Sequence, residues 1–492
     1  INVVDFKETL LRLAGIEGEW KGSGRDATAL LEGKSISEWE NKVYVNGMQF
    51  HEAGIMTDEY YVVFREDGYH MAFDMKKDPL QMINLYHDNA YRKLIRESLE
   101  DVIIHCRSVE SPALSWLETV GQKMQPLNVM IKPSSGNCNM KCDYCFYCDE
   151  MENRKQQLYG FMTEETLKNV IRKTMLCAGG HISYAFQGGE PLLRGKEFFE
   201  KVIEYQKRYN KNCITVANAL QTNGYLIDDD WCRFFKENNF LIGVSVDGTR
   251  EIHDCYRHSK SGEDTYDRIE NNIRLLDKYG VDYNILTVVT DKIAKNIKEI
   301  YFDYEKHGWR YQQYIECLDP MGEEYGMKPY SLKPEVFGQY MTELFELWYE
   351  DWKRGRQPYI RKFENYIGIL AGYYPESCEQ RGICGMQTVV EADGSVYPCD
   401  FYMLDEYYLG NFNKDRLMDI DKKRTEIGFI ERSKMISEEC KVCKYYKVCR
   451  GGCQRSKEYH TYETGYRSYF CEGYKIFFKN CLDKMMEMAR SL

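Results

Sequence analysis

No stretch of this chain reaches the roughly 18 consecutive apolar residues that a membrane span requires. The N-terminal residues lack the charged-then-apolar layout of a secretory signal. Long runs of one charge sign are missing too, and 66 basic against 77 acidic residues leave a net charge of −11. Such a balance disfavours a general nucleic-acid or anionic-membrane surface. The expectation is a cytoplasmic protein with neither nucleic acid nor membrane as partner. At 492 residues the chain is too long for one ordinary core, so two or three domains are expected.

Cysteine is nearly absent from the first 137 residues, where only Cys106 occurs, yet the whole chain holds 19. Disulfides are rare in a reducing compartment, and packing alone would not bunch thiols, so metal binding is the better explanation. One group is "CNMKCDYC", with Cys138, Cys142 and Cys145 inside eight positions; the other spans 378–471.

The middle of the chain alternates β-prone and helical segments. "LNVMIK", "ISYAFQ", "ITVANALQT", "FLIGVSVD", "DYNILTVV" and "YQQYIECL" read as strands. Between and after them lie helical patterns, among them "TEETLKNVIRKTML" with Thr163 as N-cap, "GKEFFEKVIEYQKRY" and a long helix near 333–354. Six repeated strand–helix units imply an α/β fold, a parallel sheet curled into a partial barrel. In such barrels chemistry sits at the C-terminal ends of the strands, and Cys138–Cys145 follow the first strand directly.

Three thiolates can hold a [4Fe–4S] cluster and leave one iron free for a small molecule. A three-Cys zinc knuckle with a distant fourth ligand suits the same spacing, but placement after the first strand of a βα barrel argues against it. With the aromatics of "DYCFY", the CxxxCxxC spacing resembles the radical S-adenosylmethionine (SAM) enzymes. "FQGGEP" at the second strand end has two glycines that let backbone approach a ligand, and Glu190 or neighbouring carbonyls can meet an ammonium. "GVSVDG" offers Ser245 and Asp247, and Arg257 can pair a carboxylate.

In the C-terminal part, "CEQRGIC", "EADGSVYPC" and "CKVCKYYKVCRGGC" with Cys471 supply eight thiols. The run Cys440-x2-Cys443-x5-Cys449-x3-Cys453 alone equally suits a zinc ribbon. Joined to Cys384-x9-Gly394-x4-Cys399 and Cys471, it resembles the SPASM domain, which carries two auxiliary [4Fe–4S] clusters.

From about residue 125 to the end, roughly three quarters of the chain, the sequence resembles the anaerobic sulfatase-maturating enzymes, on "CNMKCDYCFY", "FQGGEP", "LQTNG", "GVSVDG", "DGSVYPCDFY" and "CRGGC". The resemblance implies three [4Fe–4S] clusters and SAM as cofactors, and oxidation of a Cys or Ser side chain to Cα-formylglycine in a sulfatase. It puts the SAM-cluster ligands on Cys138, Cys142 and Cys145, and SAM contacts on Tyr144, Gly189, Ser245, Arg257 and Leu318. The first auxiliary cluster falls on Cys378, Cys384, Cys399 and Cys453, the second on Cys440, Cys443, Cys449 and Cys471. The general base falls on Asp400, with Tyr147 and Gln187 beside the substrate. A carboxylate there makes chemical sense, because a Cβ radical formed by hydrogen abstraction must still shed a proton and an electron. A flavodoxin- or ferredoxin-like reductant is the implied protein partner. The remaining thiols, Cys148, Cys177, Cys213, Cys232, Cys255, Cys317 and Cys481, sit singly and read as buried structural cysteines.

Residues 1–123 depart from that family. They read as a small α+β module, with helices in "DFKETLLRLAGI" and "NAYRKLIRESLEDVI", strands in "KVYVNGMQF" and "EYYVVFREDGYHMAFDM", and a turn at Asp67–Gly68. The expected organisation is therefore 1–123, a barrel over 124–355 and a SPASM domain over 356–492. The first module suggests peptide recognition, or else a packing appendage. With it comes a second possible outcome, thioether or other crosslink formation on a ribosomally made precursor peptide. A zinc-binding scaffold without catalysis is the third.

Overall fold

A computed structural model of the chain describes residues 9–16, 27–34, 41–47, 51–66, 69–86, 88–122, 126–211, 213–457 and 466–492. It divides into two units. One comprises Ile1–Gln125 with Ala178–Gly180 and Asn210–Ile214, and the other holds the rest of the chain.

In the first unit four antiparallel strands, β1 (Lys42–Gly47), β2 (Glu52–Thr57), β3 (Tyr60–Arg65) and β4 (Met71–Asp74), pair in sequence order. Their apolar residues Ile55, Val62, Phe64 and Ala72 share a core with Ile95, Leu99 and Val102 of helix α1 (Arg92–Ser108) and with Leu117 of α2 (Leu114–Gln122). The side chains of α1 that enter this core recur at helical spacing, so one face is buried and the other carries charge. The helix expected over 5–16 is described only from residue 9, and the turn expected at Asp67–Gly68 lies outside the described residues. Strand β2 had no counterpart in the sequence reading. Its Gly54 interrupts the β-prone pattern, yet a Cβ there would stand 2.4 Å from the Val62 carbonyl oxygen, so close strand pairing needs the glycine.

The second unit is built on parallel strands β5 (Leu127–Ile131), β6 (His181–Phe186), β7 (Thr215–Thr222), β8 (Phe240–Ser245), β9 (Tyr283–Val289) and β10 (Tyr311–Glu316). They stand side by side in sequence order. Helices α3 (Phe146–Glu152), α4 (Glu164–Met175), α5 (Lys196–Tyr209), α6 (Asp229–Glu237), α7 (Tyr266–Tyr279), α8 (Ile297–His307) and α9 (Pro334–Lys353) lie between and after them. The Thr163 hydroxyl accepts from the Thr166 N–H and the Asp228 carboxylate from the Trp231 N–H, so α4 and α6 start where side-chain caps are available. This is the six-stranded partial barrel expected from the alternating strand–helix pattern.

The C-terminal part does not form a sheet of its own. After α10 (Arg361–Leu370), strand β12 (Gln387–Val390) pairs in parallel with β5, Val390 opposite Ile131, and β13 (Ser395–Tyr397) and β14 (Gly410–Asn411) follow antiparallel. With β11 (Tyr359–Ile360) on the other edge, they complete a ten-stranded sheet. Because β12 lies beside β5, the residues that follow both strands leave at the same end. The last helix, α11 (Cys471–Arg490), packs against α9; Gly473 faces Gly338, where any Cβ would meet backbone. Among the described residues no helix is long and apolar enough to cross a membrane.

Candidate active site

The thiol loop leaves β5 and passes beneath the second strand end. Met140–Cys142 pairs antiparallel with Arg257–Ser259, Cys142 opposite Arg257, so a cation lies beside the three thiols. The Tyr144 hydroxyl donates to Asp247 and accepts from Arg257 Nη1 at 2.9 Å. Asp247 also accepts from the Val288 N–H at 2.9 Å. Burial pushes the Asp247 carboxyl up, while the Arg257 charge and the Tyr144 hydrogen bond pull it down. The buried Nε of Arg257 and the amide nitrogen of Asn139 find no partner among the described residues. Two orphan donors beside three thiols suit a ligand that carries acceptor oxygens, such as an amino-acid carboxylate. Burial raises the Cys138 and Cys142 thiols to about 11 and about 12. They are weak acids until a metal takes the thiolate.

Gly189 and Glu190 form the other wall. Gly189 has φ +46, and a Cβ there would lie 2.2 Å from the Asn137 carbonyl oxygen. Only glycine lets this strand end lie flat on the thiol loop. Glu190, expected to meet an ammonium, is instead enclosed. Its carboxylate accepts from the Leu192 N–H at 2.9 Å, the Thr222 hydroxyl at 2.9 Å and the Asn223 N–H at 2.8 Å. It braces the loop. Burial lifts its pKa to about 7 against the pull of those donors. Ser245 ends β8, and Leu318 lies two residues past β10, so both stand at the C-terminal rim.

Gly189→Ala should weaken SAM binding at least about tenfold while the fold survives, because the added methyl must push the thiol loop away from the second strand end. Calorimetric titration of SAM into parent and variant checks this.

The second cluster of groups surrounds Asp400, which opens a 3-10 turn directly after Cys399. Lys132 follows β5 and is fully buried, and its ammonium donates to one oxygen of Asp400. The Gln187 amide donates to the other. The pairing of β12 with β5 explains the meeting: the Lys132 N–H donates to the Val390 carbonyl at 2.8 Å, which sets both chain segments side by side. The Lys132 ammonium also stands 4.7 Å from the Tyr147 ring centre. Tyr147 itself is buried, its hydroxyl given to Glu391, and Arg154 pairs with the same carboxylate at 3.0 Å. Tyr147 therefore offers a ring face, and its polar end is spent on Glu391. Glu150 is buried too, its carboxyl pushed well above the usual range first by burial and then by the Asp400 charge. Lys132, Glu150, Arg154 and Glu391 were missed in the sequence. A lone lysine ending the apolar strand "LNVMIK" was the one available signal.

Burial, then the charges of Cys378 and Cys384, raise the Cys453 thiol, and burial followed by Cys453 raises Cys399. Cys440, Cys443, Cys449 and Cys471 line one cavity of about 210 Å³. That space is far larger than a single ion fills and suits a multi-iron cluster. Among the described residues no three Cys, His, Asp or Glu side chains close on a single-ion site. Of the seven single cysteines expected to be buried, only Cys232, Cys317 and Cys481 are. Cys148 and Cys213 are exposed and Cys177 and Cys255 half-buried, because they lie in short helices, turns and loops at the surface rather than on inward faces.

The radical SAM superfamily profile matches residues 133–303, and the iron–sulfur cluster-binding SPASM profile matches 382–445. A third profile, the C-terminal part of N-sulphoglucosamine sulphohydrolase, matches residues 1–108. The cysteine-type anaerobic sulfatase-maturating enzyme of Clostridium perfringens is 41% identical over 369 residues, 75% of this chain and all of that protein. The chain belongs to the anaerobic sulfatase-maturating enzymes. The serine-type enzyme of Bacteroides thetaiotaomicron is 30% identical over 390 residues, covering 75% of this chain and 92% of its own. A solved structure of anSMEcpe with bound AdoMet and the Cp18Cys peptide superimposes with TM-score 0.70 at 41% identity, over 74% of this chain and 99% of that one. The enzyme oxidises a Cys or Ser side chain of a peptide substrate to formylglycine by radical SAM chemistry, with SAM and [4Fe–4S] clusters as cofactors.

Proposed function

We propose that Asp400 is the proton acceptor of this oxidation and that a sulfatase is the substrate. The observation that supports the first is the grip on Asp400: Lys132 and Gln187 hold one carboxylate oxygen each, one residue past Cys399. Cys138, Cys142 and Cys145 hold the SAM cluster. Cys378, Cys384, Cys399 and Cys453 hold the first auxiliary cluster, and Cys440, Cys443, Cys449 and Cys471 the second. Held at the first site, SAM and its cluster would supply the radical chemistry that activates the substrate Cβ for oxidation. Arg257, oriented by Tyr144 and Asp247, and the backbone at Gly189 bind the methionine end of SAM, with Ser245 and Leu318 at the rim. Asp400 takes the thiol or hydroxyl proton. Lys132 and Gln187 fix the carboxylate by one lone pair on each oxygen and leave the others to accept the proton, and the buried Tyr147–Glu391–Arg154 group closes the floor to water.

The sulphohydrolase profile over residues 1–108 supports a sulfatase in preference to a ribosomally made precursor peptide. In this reading residues 1–123 recruit the sulfatase body and the barrel acts on its Cys or Ser segment. Deleting residues 1–123 should weaken binding of a full-length sulfatase at least about tenfold, measured by titration, while a short peptide is oxidised as before. Equal loss with both substrates would contradict the recruiting role. The remaining partner is a one-electron carrier of the flavodoxin or ferredoxin kind, needed because each turnover consumes one electron and releases one.

A further inference from the structure

His253 ends the short helix Arg250–His253 and is wholly buried. Gly248, at φ +81, turns the chain after Asp247, so that His253 comes back against the backbone just left behind. Its Nδ1 accepts from the Asp247 N–H at 3.2 Å, which leaves the ring proton on Nε2, 3.2 Å from the Thr265 hydroxyl oxygen. The Thr265 hydroxyl in turn donates to the Arg257 carbonyl at 2.9 Å. Thr265 is also wholly buried and stands just before α7. Its side chain caps no N–H of that helix, the ordinary task of a threonine there, and is spent on Arg257 instead. Burial first, then the charges of Arg257 and His258, hold the imidazole well below its usual range, so it is neutral at pH 7. The Tyr266 ring packs edge-on against it, centroids 5.5 Å apart.

We propose that His253 is a positioning residue for SAM: through Thr265 its imidazole ties the backbone of Asp247 to that of Arg257, and so fixes where the guanidinium meets the carboxylate of SAM. The proposal rests on the reading of Arg257 as a SAM partner. On the ligand side the Asp247 and Arg257 side chains stand 3.7 Å apart and meet through the Tyr144 hydroxyl. A contact made at the tips of two side chains holds its place only if the backbones behind it are held too. Any acceptor would satisfy the buried Asp247 N–H. The imidazole does more, because its two nitrogens sit on opposite sides of a rigid ring, one accepting and the other donating. The hold on Asp247 is thereby passed across the ring to Arg257. Arg257 Nε, which has no partner among the described residues, is kept in place for a ligand oxygen.

The test is calorimetric titration of SAM into anaerobically reconstituted enzyme, with iron content measured alongside. His253→Phe keeps an aromatic ring without nitrogens and should weaken SAM binding at least about tenfold, with iron unchanged. The KM for SAM should rise in step, while the KM for the peptide stays within about twofold of the parent. His253→Asn restores an acceptor near the Nδ1 position and should return SAM affinity to within about threefold of the parent. Thr265→Val cuts only the link to Arg257 and should weaken SAM at least about threefold; it decides the question if His253→Phe is insoluble. Parental SAM affinity in His253→Phe or in Thr265→Val would overturn the assignment. So would an asparagine variant no better than the phenylalanine one, or a peptide KM that rises as much as the KM for SAM. A failure of the underlying reading would show separately, as Arg257→Gln binding SAM like the parent.

Discussion

Asp400→Asn should still cleave SAM to 5′-deoxyadenosine while oxidised peptide falls at least about a hundredfold. General-base contributions run to about 10²–10⁴-fold, or roughly 3–5 kcal/mol of barrier. Asparagine keeps the size of the side chain, and its carbonyl oxygen can still accept from Lys132. Its amide can no longer accept from Gln187, and it cannot take the substrate proton. The decisive quantity is the ratio of 5′-deoxyadenosine to modified peptide, taken with a Cys peptide and a Ser peptide. The Ser substrate should suffer more, because a thiol is the stronger acid and depends less on the base. An unchanged ratio for both peptides would remove Asp400 from the mechanism and leave Lys132 and Gln187 with a purely structural role.

Replacing Cys138, Cys142 and Cys145 together by Ala should abolish SAM cleavage altogether. Anaerobically reconstituted parent enzyme should hold about 12 irons, from three clusters of four, and the triple variant about eight. The eight C-terminal thiols lie on other segments and should keep their iron, so a variant that lost all of it would indicate one interdependent metal core. Two bound zincs in place of the C-terminal iron would contradict the assignment of Cys378–Cys471 to auxiliary clusters. Elemental analysis with sulfide determination reads all of these outcomes.

The barrel was legible because each strand is a short β-prone run followed by an amphipathic helix with an evident start. Thr163 caps the helix its position suggested. The thiol positions were equally plain, since cysteine is otherwise scarce in the first part of the chain. What the sequence hid was long-range pairing. Nothing local in "GMQTVVEADG" says that Gln387–Val390 adds to the barrel sheet beside Leu127–Ile131, yet this places Asp400 against Lys132. Glu190 misled for a related reason: a carboxylate after two glycines looks ready for a ligand, and only the fold brings Thr222 and Asn223 round to enclose it. Strand β2 was lost because Gly54 breaks a pattern that the neighbouring strand makes obligatory.

The central claim, two-electron oxidation of a sulfatase Cys or Ser to an aldehyde, is tested most directly by the mass and reactivity of one product. A Cys-containing peptide with the C-x-P-x-R pattern, incubated anaerobically with enzyme, SAM and a reductant, should lose its sulfur as sulfide. It should gain a carbonyl that forms a hydrazone, with one 5′-deoxyadenosine per aldehyde. A product that keeps its sulfur, is lighter by two hydrogens and forms no hydrazone would mean a thioether crosslink, and would contradict the account.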